Sequence, residues 1–203
     1  ARDWGLVHRL DRETSGLVAC ALTPSAYDAL RAQFARRTVR KFYWAVSHKP
    51  PSEPEGVIRK PIAERVRRAS KYTSTKTARV TSEGKPALTA YRTLATSDLA
   101  ALIEARPVTG RLHQVRVHLD LIGCAVLGDE VYGPKRAREA AARLALHAHR
   151  LAFEHPHTGE PIDLRSRWPA DLKGLLRTMR LPRPDLPASA GGLLDDPLDA
   201  GDG

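Results

Sequence analysis

Along the chain, hydrophobic and polar positions mark out a polar opening, a series of short strand-like runs and three helical repeats. His8 to Ser15 show no hydrophobic period, whereas Leu17 to Leu22 form a short apolar run of strand-compatible residues. This pattern predicts a polar loop feeding a buried core strand. Thr23 and Pro24 then read as a helix start, with Thr as N-cap and Pro at the first helical position. Ala26, Leu30 and Phe34 recur at helical spacing, so one apolar face is expected. The helix runs out into Arg36, Arg37, Arg40 and Lys41, cations suited to the negative end of its dipole. Val39 to Val46 is aromatic-rich with strand propensity, and Lys49 to Gly56 is a Pro-rich turn.

Arg59 to Arg79 carries no sustained apolar period and predicts weak strands joined by an exposed loop. Residues 87–94 and 99–105 read as a hairpin around Thr96, Ser97 and Asp98. Thr109 is placed to cap a helix whose Leu112, Val115, Leu119 and Ile122 face the core and which ends at Gly123. Arg116 lies beside that apolar face. A half-buried arginine is costly unless it meets a carboxylate, and Asp129 and Asp120 are candidates. His147 with His149, and His155 with His157, are spaced as on a strand and a turn rather than in a metal set, since no carboxylate or thiol cluster accompanies them. A last helix over 169–179 carries Leu172, Leu175, Leu176 and Met179 as a core stripe.

Composition narrows the partner. The 203 residues hold 33 Lys and Arg against 23 Asp and Glu, a net +10 with a pI near 10.1. Residues 182–203 carry one basic and five acidic residues, which leaves +14 on residues 1–181. Arg59 to Arg79 is the most basic part, with eight cations against Glu64 alone, interleaved with hydroxyls and Tyr72. That arrangement suits a polyanion with a phosphate backbone better than a neutral metabolite. The expected organisation is one domain over 1–181 and a disordered acidic tail over 182–203. Cys20 and Cys124 sit far apart in apolar stretches and read as small buried hydrophobes of a reducing compartment, without a disulfide. No apolar run reaches the roughly 20 residues needed to span a bilayer, which makes the cytoplasm the expected location. The chain opens at Ala1 without Met and reaches its polar loop within eight residues, which reads as an N-terminally truncated chain.

Asp11 is the candidate for chemistry. It lies in the polar loop between Arg9 and Arg12, and a carboxylate among cations suits a nucleophile or a charge stabiliser better than a proton donor. Taken alone, such an Asp is more often a turn cap or half of a surface ion pair.

The string HRLDRETSG, His8 to Gly16, resembles the signature of the RluA-type pseudouridine synthases. Lys41, Tyr43, Ala45 and Val46 resemble the KxYxAxV motif of the same family, with Ser47 and His48 departing from it where a glycine is frequent. Gly110, Arg111, His113, Gln114, Arg116 and His118, followed by Gly123, Gly128, Asp129, Tyr132 and Gly133, resemble GRxHQxRxH and GxxxxGDxxYG. The segment 144–161 is similar to the family's late strand and turn.

The resemblance implies an α+β fold, a mixed and largely antiparallel sheet with packed helices and a basic active-site cleft. It implies an RNA pseudouridine synthase that isomerises uridine in ribosomal or transfer RNA without a cofactor or metal, as a monomer. Asp11 would be the nucleophile, Tyr43 the residue against the base, and Arg116 the partner of Asp11. Arg9 would fill the space the uridine vacates. His8, Arg111, His113, Gln114, Arg67, Arg68 and Lys71 complete the expected RNA and base contacts. Two other readings stand beside this one: a noncatalytic RNA-binding domain, against which Asp11, Tyr43 and Arg116 argue, and a hydrolase pairing Asp11 with Glu13 or Asp129, which no spacing favours.

Overall fold

The computed structural model describes residues 5–68 and 74–184. After the polar loop come β1 (Ser15–Gly16), α1 (Pro24–Arg36), β2 (Arg40–Ser47), β3 (Glu55–Arg59), β4 (Ile62–Arg68) and β5 (Ser74–Val80). The hairpin β6 (Leu88–Thr96) and β7 (Ala101–Pro107) leads to α2 (Gln114–Leu121) and α3 (Lys135–Glu139). The chain then forms β8 (Leu146–Glu154), β9 (Pro161–Arg165), a 3-10 turn (Ala170–Leu172) and α4 (Lys173–Thr178). The main sheet has the order β1-β8-β2-β7-β6-β3, with β9 also on β8. β1 pairs with β8 in parallel and the other pairs are antiparallel; β4 and β5 form a separate two-stranded sheet. This is the expected α+β fold with a mixed, largely antiparallel sheet.

The period-2 pleat of β2 decides what faces what. Trp44 is fully buried on one face, where it stacks on His149 at 3.8 Å and 3° and meets Trp168. Tyr43 and Lys41 point the other way, into a cleft. The register of β2 against β8 shifts between Phe42 and Tyr43, a bulge of the kind that re-aims a side chain beside a site. The main core gathers Trp44, Ile103, Leu146, Leu119 of α2 and Leu172 and Leu176 of the C-terminal turns.

Local expectations hold for α1. Thr23 Oγ1 accepts the Ala26 N–H at 3.2 Å, Pro24 opens the helix, and Arg37 closes it in the left-handed region. Three other expectations are corrected. Leu17–Leu22 is not a buried core strand: the Leu17 N–H still reaches Ala148 O at 2.9 Å, but the segment then leaves the ladder for a Leu6–Cys20 bridge, so Val18 is 43% and Leu22 93% exposed while Ala21 stays buried in a small second cluster. Cys20 on that segment is accordingly exposed, while Cys124 is buried as expected. Thr109 does not cap α2, which begins only at Gln114; its hydroxyl instead accepts the Leu88 N–H at 3.1 Å and donates to Gln114 Oε1 at 2.7 Å. A buried carboxamide in reach offers that hydroxyl an acceptor that water does not reach. Residues 185–203, most of the expected acidic tail, lie outside the described residues.

Candidate active site

The polar loop folds back on itself, with the Thr14 N–H donating to Asp11 O at 3.0 Å. Ser15 and Gly16 then lock it to β8 as the parallel β1. Gly16 holds φ +122°, and a Cβ there would lie 2.2 Å from Ala148 O, so the loop sits flush on the strand only because the residue is glycine. His8 anchors the near side: its Nε2 accepts the Ala19 N–H at 2.9 Å and its ring stacks on Phe34 of α1 at 4.9 Å. Burial, then the Lys41 charge, lowers its pKa to about 4, so the ring is neutral.

Asp11 is thereby aimed at α2. Arg116 Nη1 donates to its Oδ2 at 3.2 Å. The same guanidinium grips Asp129 by two bonds, Nε to Oδ2 at 2.7 Å and Nη2 to Oδ1 at 2.8 Å. Asp129 is in turn held by the N–H groups of Val131 and Tyr132. Both partners expected from the sequence are therefore real, Asp11 from the resemblance and Asp129 from the cost of burying Arg116; Asp120 is not one of them. Burial alone would depress the Arg116 pKa, and the bonds to Asp129 and Asp11 more than reverse it. The Tyr132 ring lies 5.1 Å from the guanidinium carbon.

Asp11 borders a cleft of ≈600 Å³ lined also by Arg9, Arg31, Phe34, Arg37, Lys41, Tyr43, Glu64, Lys76 and the 107–115 segment. Burial, and next the charge of Asp11, push the Tyr43 phenol well above its ordinary range, so it stays protonated. Lys41 donates to Thr109 O at 3.3 Å; burial, then the neighbouring Arg106, lowers it to about 8. Sequence reasoning placed Lys41 in a motif without a role. Its position two residues from Tyr43 on one strand was the signal that both share a face.

The expected RNA contacts fare differently. Arg9 and Arg111 line the cleft, Arg9 exposed and Arg111 half-buried with its Nε donating to Pro86 O at 3.1 Å. His113 lines it as well. Gln114 is a correction: its carboxamide donates to Leu88 O and Thr89 Oγ1 and accepts from Thr109 Oγ1 and the Arg111 N–H, so every group it has serves the protein. It clamps α2 to the β6 start rather than offering a ligand contact. His118 is likewise internal, between Thr89 Oγ1 and Lys60 O. Lys71 lies outside the described residues, as do the side chains of Arg67 and Arg68 on β4.

Fold and site define a class: an α+β domain that presents a loop carboxylate, fixed by a buried arginine, in a cleft bordered by cations. The RNA pseudouridylate synthase family model matches residues 1–121, and the chain belongs to that family. It is 39% identical over 184 residues to the ribosomal large subunit pseudouridine synthase D of Zymomonas mobilis, covering 87% of this chain and 56% of that protein. It is 34% identical over 188 residues to the ribosomal large subunit pseudouridine synthase C of Vibrio vulnificus, covering 90% and 58%. The chain thus spans somewhat more than half the length of these curated relatives. Among solved structures, human RNA pseudouridylate synthase domain containing 4 superposes with TM-score 0.73 at 29% identity, over 89% of this chain and 77% of that one.

Proposed function

We propose that this domain isomerises uridine to pseudouridine in structured RNA, with large-subunit ribosomal RNA favoured over transfer RNA because the named relatives act on the large ribosomal subunit. The observation that carries the reading is Asp11 at 3.2 Å from Arg116, at a cleft whose other charged walls among the described residues are Arg9, Arg31, Arg37, Lys41, Lys76, Arg111 and one further carboxylate, Glu64. A uridine cannot reach Asp11 while stacked, so it leaves its stack, with Arg9 filling the vacated space and the cations tracking the phosphates. Asp11 is the nucleophile toward the ribosyl-uracil unit. The N1–C1′ bond breaks, uracil turns and a C5–C1′ bond forms; the C5 proton leaves, N1 takes up a proton in its place, and the bond to Asp11 is released so that the carboxylate is regenerated. No electrons are gained or lost and no group leaves the nucleotide, so the cycle calls for no redox or group-carrying cofactor.

Arg116 keeps Asp11 in place through the steps in which the carboxylate changes charge, and Asp129 keeps Arg116 in place. Tyr43 lies against the base as a neutral phenol. The domain works as a monomer in the cytoplasm. The test is release of tritium from C5-labelled uridine in a bacterial large-subunit ribosomal RNA transcript. Release without free uracil is the expected result. A binding module would release none, and a hydrolase would liberate the base.

A further inference from the structure

His113 opens α2 at φ 51° and ψ 24°, in the left-handed region that side chains seldom occupy. The strain yields no helix cap, since the side chain makes no capping bond. The ring turns instead to Tyr132, with Nδ1 2.9 Å from its hydroxyl oxygen. That oxygen also accepts the Ala78 N–H of β5 at 2.8 Å.

A phenol has one proton to give. If it goes to His113 Nδ1, every group in the chain Ala78, Tyr132, His113 is satisfied. If Nδ1 carried the proton, the phenol's own proton would have no acceptor among the described residues. Burial, then the charge of Arg116, lowers the His113 pKa, in keeping with a neutral ring. Its single proton therefore sits on Nε2, which meets no partner among the described residues. His113 is half-buried in the wall of the cleft that holds Asp11 and Tyr43.

We propose that His113 is a specificity-determining residue that presents a fixed Nε2–H donor to O4 of the uracil. Uracil carries an acceptor at that position where cytosine carries an amino donor, so a donor that cannot change tautomer favours the one base and opposes the other. The tautomer is set by the Tyr132 hydroxyl and the backbone of β5, which ties base selection to the basic β4–β5 hairpin. This inference rests on the reading that a uracil occupies the cleft.

The experiment compares single-turnover tritium release by wild type, His113→Asn and His113→Gln, on large-subunit ribosomal RNA transcripts made with C5-labelled uridine or C5-labelled 4-thiouridine. Asn tolerates the left-handed backbone but reaches only the Nδ1 position, whereas Gln extends an N–H toward the Nε2 position. His113→Asn is expected to slow uridine turnover about tenfold, the worth of one neutral hydrogen bond, with Gln restoring part of the rate. Sulfur accepts hydrogen bonds poorly, so 4-thiouridine should slow wild type by a similar factor and His113→Asn no further. Equal slowing of both proteins by sulfur, or a rate loss in both variants that only follows a fall in melting temperature, overturns the assignment. Wild type that releases no tritium from uridine overturns the activity itself, a result the variants cannot produce.

Discussion

Asp129 grips Arg116 through two bonds of 2.7 and 2.8 Å, and the nitrogen left over reaches Asp11 at 3.2 Å. The nucleophile candidate therefore depends on a carboxylate that lines no part of the cleft. Asp129 is 1% exposed and Arg116 7% exposed on their side chains, against 19% for Asp11.

Asp129→Asn and Arg116→Met each leave a buried charge without its fork, at a cost of about 3–5 kcal/mol. Both should melt earlier and turn over slowly, and Arg116→Lys should recover only part of either, because one ammonium does not reproduce the guanidinium geometry. Melting curves and single-turnover rates check this. Unchanged values for Asp129→Asn would show that Arg116 holds Asp11 unaided.

On the proposed mechanism, in which phosphate contacts supply affinity and the carboxylate acts in the covalent steps, Asp11→Asn should abolish turnover while RNA affinity stays within about twofold. Filter binding across a salt series, run beside tritium release, separates the two. Product at the wild-type rate would remove Asp11 from the mechanism.

Acid should destabilise the fold through its histidines. Burial, followed by Lys41 for His8 and by His149 for His147, sets both pKa values at about 4 against 6.5 in an unfolded chain. Between those values the unfolded state binds more protons, so the stability these rings contribute is complete above pH 6.5 and lost as the pH falls toward 4. Burial lowers His113, His118 and His149 in the same direction. Urea midpoints should fall steadily over this window, and the slope should flatten in a His8→Asn, His147→Asn double variant. A midpoint that does not move with pH would contradict it.

Gly16→Ala should cost more than the ~1 kcal/mol usual for such a change, since φ +122° disfavours any side chain and the Cβ would overlap Ala148 O at 2.2 Å. The loop carrying Asp11 would lift from β8, so turnover should fall with stability. Calorimetry and rate together test it, and wild-type behaviour in both would show that the loop is held elsewhere.

Much was legible without coordinates because it is local. Thr23 and Pro24 start a helix whatever lies around them, the hairpin of β6 and β7 follows from alternation and a turn, and the three motifs named the residues Asp11, Tyr43 and Arg116. The cost of burying an arginine pointed to Asp129 or Asp120, without choosing between them. What only the tertiary structure decided depends on partners far apart in sequence. Leu17 to Leu22 is apolar enough for a core strand, yet whether such a run is buried depends on which surface faces it, and after Leu17 it leaves β8, burying Ala21 but exposing Val18 and Leu22. Thr109 and Gln114 have the chemistry of a cap and of a base contact, but Leu88 and Thr89, some 25 residues away, take up both. His113 is an expected RNA or base contact, but only Tyr132 and Ala78, placed beside it by the fold, fix which nitrogen holds its proton. Propensity and spacing are properties of a few consecutive residues. Burial, hydrogen-bond satisfaction and tautomer are set by neighbours the fold brings together, and no local pattern encodes them.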